Sequence, residues 1–212
     1  MHQDFKNNQL EACRLEAVKG DKRLFDGVSF AVNSGEILRV AGINGAGKTT
    51  LLRILCGLGF ADDGSVLWNN TNINSNRPDY YSALHYLGHQ TGVKAGLTPN
   101  ENLAFYQGIN EQEPDQDAIN QALDRVGLVS TAGLYCHSLS AGQRQRVAIA
   151  RLLIISKPLW ILDEPFTALD KQGQALLNNM LLEHIDKYGM VILTTHQDTL
   201  NPSLNLRTLE LN

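Results

Sequence analysis

A chain of 212 residues, 43% hydrophobic and 19% charged, is globular and long enough for one well-buried α/β domain. With 18 lysines and arginines against 22 aspartates and glutamates, the net charge of −4 gives no overall basic footprint for nucleic acid. No run of about 18 apolar residues exists to span a bilayer, and the opening MHQDFKNNQLEA lacks the apolar core of a signal peptide, so the chain is expected to stay in the compartment where it is made.

Leu10 to Ala17 and Val28 to Val32 are short, partly alternating apolar runs around the polar stretch Lys19 to Arg23, which predicts β structure at the start. Ile37 to Ala41 predicts a third strand ending at Gly42. From Lys48 to Gly57, Leu51, Leu52, Ile54 and Leu55 fall at helical spacing, with glycine at the stop. Val66 to Trp68 reads as another strand. Asn100 to Gly108 and Asp115 to Gly127 predict helices, the second with Ile119, Ala122, Leu123 and Val126 on one face. Residues 91–155 are thus a candidate helical subdomain within a single domain, 1–212. Leu159 to Asp163, behind Pro158, predicts a buried parallel strand. A helix from about Gln172 to Tyr188 and a second buried strand, Val191 to Thr195, follow. Strands alternating with helices argue for a mostly parallel sheet covered by helices.

Gly42-Ile-Asn-Gly-Ala-Gly-Lys48-Thr49 fits G-x-x-x-x-G-K-[ST] between a predicted strand and a predicted helix. Phosphates need several backbone N–H donors at close range, and glycines at 42, 45 and 47 let the backbone curl inward. The helix N-terminus adds partial positive charge. Lys48 is expected to reach the β- and γ-phosphates of ATP and Thr49 to offer its hydroxyl to Mg2+; Asn44, Ala46 and Thr50 complete the nucleotide-binding stretch. Asp163 and Glu164 end a predicted parallel strand, where ligand-binding groups collect. Asp163 suits a metal-holding acid and Glu164 a base that polarises the attacking water.

Leu139-Ser-Ala-Gly-Gln143 precedes a helix with Arg144, Arg146 and Arg151, and Ser140 with Gln143 fits the S-x-x-Q capping box. The stretch resembles the LSGGQ signature of ABC ATPases, with Ala141 in place of the first glycine. Gln90 lies where that family's Q-loop glutamine belongs, Ala168-Leu-Asp170 looks like its D-loop, and His196 looks like its switch histidine. The resemblance implies a P-loop NTPase core with an N-terminal antiparallel β subdomain. It implies Gln90 as a further metal contact, and Lys48, Glu164 and His196 as catalytic. It implies nucleotide contacts from Ser140, Gly142, Gln143 and Asp170, and a homodimer in which each signature closes over the partner's ATP. One departure stands out. Val18-Lys-Gly-Asp-Lys22, where the family usually places an aromatic residue on adenine, has none, and Phe25 is the nearest candidate.

Leu87 to Lys94, Leu97 to Leu103, Leu159 to Asp170 and Ile192 to Gln197 are similar to the ATP-binding subunits of bacterial haem exporters used in cytochrome c maturation. That resemblance implies integral membrane permease partners and a peripheral place on the cytoplasmic face of the inner membrane. The alternatives are the ATPase of a lipoprotein or drug exporter, or a soluble ABC ATPase of repair or translation. Cys13, Cys56 and Cys136 have no C-x-x-C spacing and read as reduced thiols; without C-x-x-C-H the chain is no c-type haem carrier. The spacing of His85, His89 and His137 suggests no haem-ligand site.

Overall fold

The alternating opening folds as a hairpin in the computed structural model, which describes residues 5–195, 200–204 and 206–211. β1 (Gln9–Lys19) and β2 (Lys22–Asn33) pair antiparallel across a turn at Gly20 and Asp21. Then come β3 (Ile37–Gly42), α1 (Lys48–Leu55), β4 (Asp63–Trp68), β5 (Thr71–Asn72), α2 (Arg77–Ala83) and β6 (Leu84–Leu87). Strands β2-β1-β4-β5 form the expected antiparallel sheet. With β7 (Leu159–Asp163), β8 (Met190–Thr194) and β9 (Leu206–Leu211), the second sheet runs β6-β7-β8-β3-β9; β7 and β8, β8 and β3, and β3 and β9 pair in parallel. The α/β class, with a parallel core and an antiparallel sheet, is as expected.

The chain divides into two compact units. The first takes Met1–Tyr86, Lys157–Glu164 and Leu181–Asn212; the second takes Leu87–Ser156 and Pro165–Met180. In the first, every residue of β7 and β8 is buried, as for strands covered on both faces. Period-two alternation sends Leu159 and Ile161, Met190 and Ile192, and Leu38 and Val40 into one core with Leu51, Leu52 and Leu55 of α1. Asp163 and Thr194 continue that same face at the carboxyl ends of their strands.

The second unit holds α3 (Pro99–Gly108), α4 (Gln116–Arg125), α5 (Ala141–Ile154) and the start of α6 (Lys171–Asp186). Ile119, Ala122, Leu123 and Val126 are all buried, as their spacing predicts. A capping box opens α3: Thr98 Oγ1 accepts the Glu101 N–H at 3.2 Å, and the Glu101 carboxylate accepts the Thr98 N–H at 2.8 Å.

Near the end of α6, His184 lies flat on Trp160, ring centroids 3.8 Å apart and planes 10° from parallel. Its Nε2 donates to Pro158 O at 3.2 Å, and a Cβ on Gly189 would fall 2.2 Å from that nitrogen. Burial holds the imidazole pKa down to about 4, the backbone bonds to Pro158 and Met190 offsetting part of the effect. The unfolded chain takes this proton near pH 6.5 and the folded chain does not. Stability is therefore full above about pH 6.5 and lost as pH falls toward 4, by up to ~3 kcal/mol. Thermal midpoints across pH 7 to 4.5 should fall in the wild type and fall less in His184→Phe; parallel curves would exclude His184 as the source.

Candidate nucleotide site

Between β3 and α1 the backbone takes a path that side chains cannot follow. Gly42 has φ 140, and a Cβ there would lie 2.4 Å from Leu211 O. Gly47 has φ 98, and its Cβ would meet Leu24 and Phe25 at 3.0 Å. Gly47 is also the N-cap of α1 and supplies no side-chain cap, so first-turn N–H groups are left for a ligand. Lys48 Nζ donates to Gly42 O at 2.7 Å and Ile43 O at 3.1 Å. Asn44, Gly45 and Thr49 are exposed, and Thr50 is half-buried. Ala46 is different: its methyl joins the core and its N–H bonds Ile43 O at 3.2 Å, so it shapes the loop. Phe25 is only 5% exposed and packs on Gly47, whereas Val18 in the hairpin is 42% exposed. Phe25 is therefore core, and the candidate for stacking on adenine is withdrawn.

Asp163 is 4% exposed. Its Oδ1 accepts the Thr194 hydroxyl at 2.7 Å, while its buried Oδ2 has no hydrogen-bond partner among the described residues. Such an oxygen is costly unless a donor or cation meets it, so it fits a hard divalent cation. A cation that uses one or two protein oxygens and shares phosphate oxygens needs no cluster of acids. Among the described residues no group of three or more His, Cys, Asp or Glu could hold a metal. Glu164 follows at φ 52, its N–H donating to Thr194 Oγ1 at 2.9 Å.

In the second unit the signature forms its capping box: the Gln143 N–H meets Ser140 Oγ at 3.2 Å, and the Ser140 N–H meets Gln143 Oε1 at 2.9 Å. Asp170 accepts the Gly173 N–H at 2.8 Å and Arg146 Nη2 at 2.6 Å, and these two bonds hold its carboxyl below the usual range. Gln145 Nε2 donates to Pro165 O at 2.9 Å. Helix α5 thus touches both the residue after Glu164 and the Asp170 turn. A Cβ on Gly142 would lie 2.7 Å from Ala168 O. Gly142→Ala should therefore displace the Ala168–Asp170 turn and lower ATPase activity about 10-fold or more, with the melting curve little changed. Wild-type turnover in a folded Gly142→Ala protein would show that this contact is functionally silent.

Gln90 is exposed in the second unit. The next residue, Thr91, gives its carbonyl to Arg151 Nη1 at 2.8 Å, and Arg151 is 7% exposed beneath the Tyr106 ring. The buried Asn102 side chain bonds Lys94 N–H at 2.8 Å, Lys94 O at 3.1 Å and Thr98 O at 3.0 Å. Residues 91–98 are thus tied at both ends. The tethering role of Asn102 and Arg151 was not read from the sequence, where nothing sets them apart from solvent-facing polar residues of a helix. His85 is fully buried, His89 is exposed and His137 stacks on Tyr135. His196 lies outside the described residues.

The family model described as "ABC transporter" matches residues 25–167. The chain is 49% identical to the cytochrome c biogenesis ATP-binding export protein CcmA of Photobacterium profundum, over 93% of the chain and 96% of that protein. It is 52% identical to the protein of the same description from Yersinia pseudotuberculosis, with 94% and 91% covered. Among solved structures, an ABC transporter ATP-binding protein from Pyrococcus furiosus superposes with a TM-score of 0.81 at 22% identity, covering 96% of this chain and 97% of that one. A nucleotide-free ATP-binding cassette from an ABC transporter gives 0.78 at 22% identity, covering 95% and 87%. The chain belongs to the ABC transporter family, in the group whose curated members are cytochrome c biogenesis ATP-binding export proteins.

Proposed function

We propose that the chain is the ATP-hydrolysing subunit of an export complex that drives haem export, or release of a haem chaperone, during c-type cytochrome biogenesis. The observation that carries the ATPase reading is a glycine-enforced phosphate loop together with a buried Asp163 and the half-buried Glu164 that follows it, at strand ends of one parallel sheet. Residues 42–50 cradle the phosphates, and Lys48 exchanges the carbonyls of Gly42 and Ile43 for phosphate oxygens. Thr49, Gln90 and Asp163 would hold Mg2+, which when bound offsets phosphate charge. Glu164 takes a proton from the attacking water, and His196 meets the γ-phosphate. Ser140, Gly142 and Gln143 of a second copy close the site, and Asp170 orders the turn beside them.

The partners are integral membrane permease subunits, with the chain peripheral on the cytoplasmic face of the inner membrane and no role for nucleic acid. Among the described residues no helix is long and apolar enough to cross a membrane. The exposed face of residues 91–99 is the contact with those subunits. Lys94 is exposed there, its Nζ 4.5 Å from the centre of the Phe105 ring. Gly92 has φ 64, so bulk at that position strains the loop itself, and Lys94→Glu is the cleaner test. Affinity capture of tagged chain from solubilised membranes should recover small integral membrane proteins. Lys94→Glu should recover several-fold less at equal protein level. Capture of nucleic acid without membrane proteins would overturn the reading.

A further inference from the structure

We infer that Thr194 is the positioning residue that sets both acids of the site through one hydroxyl. The inference rests on the proposed roles of Asp163 and Glu164. Thr194 is the last residue of β8, in register with Asp163 on β7 and Val40 on β3, and is fully buried. A threonine hydroxyl has one hydrogen to give and lone pairs to accept with. Here the hydrogen goes to Asp163 Oδ1 at 2.7 Å and a lone pair takes the Glu164 N–H at 2.9 Å.

Two consequences follow. With Oδ1 engaged, the carboxylate of Asp163 is fixed in rotation, and its buried Oδ2, which has no partner among the described residues, is the oxygen left for a cation. The bond to the Glu164 N–H holds that residue at φ 52, a conformation that side chains rarely adopt and that sets the direction in which its carboxylate leaves the strand. Deleting the hydroxyl releases both acids together, although Thr194 contacts neither nucleotide nor water in this scheme.

The test compares Thr194→Val, isosteric without the hydroxyl, and Thr194→Ala with Thr194→Ser, which keeps it. Mn2+ affinity of the ATP complex is read by electron paramagnetic resonance, ATP affinity in EDTA by a fluorescent analogue, and kcat by phosphate release. Folded Thr194→Val and Thr194→Ala should keep metal-free ATP affinity, lose about 10- to 100-fold in Mn2+ affinity and lose at least as much in kcat. Thr194→Ser should recover most of both. Wild-type Mn2+ affinity and kcat in either hydroxyl-less variant, or a loss in Thr194→Ser equal to theirs, would overturn the inference. Asp163→Asn, assayed in parallel, separates the two layers. If it loses Mn2+ binding while Thr194→Val does not, only the role of Thr194 fails. If it too binds Mn2+ normally, the assignment of Asp163 fails.

Discussion

Glu164→Gln binds ATP as tightly as the wild type and hydrolyses it at least about 100-fold more slowly. The amide has the shape of the acid, and the fixed features around it survive: the backbone N–H on Thr194 Oγ1 at 2.9 Å and the Asp163 carboxylate on the same hydroxyl. The path of the phosphate loop is confined by Leu211, Leu24 and Phe25, which a Cβ at Gly42 or Gly47 would meet, and none of these involves Glu164. Only basicity is lost, so binding and turnover separate. Lys48→Ala, by contrast, lowers both, because positioning and charge on the phosphates carry most of phosphoryl transfer. Equilibrium binding with phosphate release on purified protein checks the pair. Wild-type release by Glu164→Gln would remove it as the base.

The second large effect comes from mixing two inactive chains. Lys48→Ala disables the phosphate loop, and Ser140→Arg places bulk and charge in the signature, where the small hydroxyl now accepts the Gln143 N–H. In a two-fold dimer with composite sites, a mixed pair has one site with both lesions and one with neither. An equimolar mixture after subunit exchange should regain about a quarter of wild-type activity: half the dimers are mixed and each has one intact site. Neither variant alone should exceed background. Absence of recovery in mixtures whose exchange is verified by mass spectrometry would count against composite sites.

Residues 42–49 and the acid pair stood out because phosphate chemistry demands given residue types at given spacing beside an apolar run; residues 139–143 stood out by resemblance to a family signature, and of that stretch the S-x-x-Q capping box was legible from the residues themselves. The strand limits of β3 and β7 followed from the same runs. β9 was not legible. Its Leu206 to Leu211 are partly exposed and alternate poorly, and the pairing with β3 spans most of the chain. α2 is short and begins Arg77-Pro78, which reads as a turn. Depth was also hidden. Phe25 stood near the place of an adenine-stacking aromatic, yet it lies buried, and with Leu24 and the left-handed backbone it is part of why position 47 takes glycine. Thr194 read as one more residue of an apolar strand, because only the register with β7 brings its hydroxyl to Asp163. Nor does the sequence show that the Asn102 and Arg151 side chains tie down residues 91–98.

On the proposed function, ATP turnover by this chain serves c-type cytochrome biogenesis. The most direct test is covalent haem staining of c-type cytochromes in cells that lack the chain and are complemented with wild type or Glu164→Gln at equal protein level. Cells without the chain or with Glu164→Gln should show no stained cytochromes, and cells with wild type should show full staining. Normal staining in the cells that lack it would rule out that role and leave an ATPase of some other exporter.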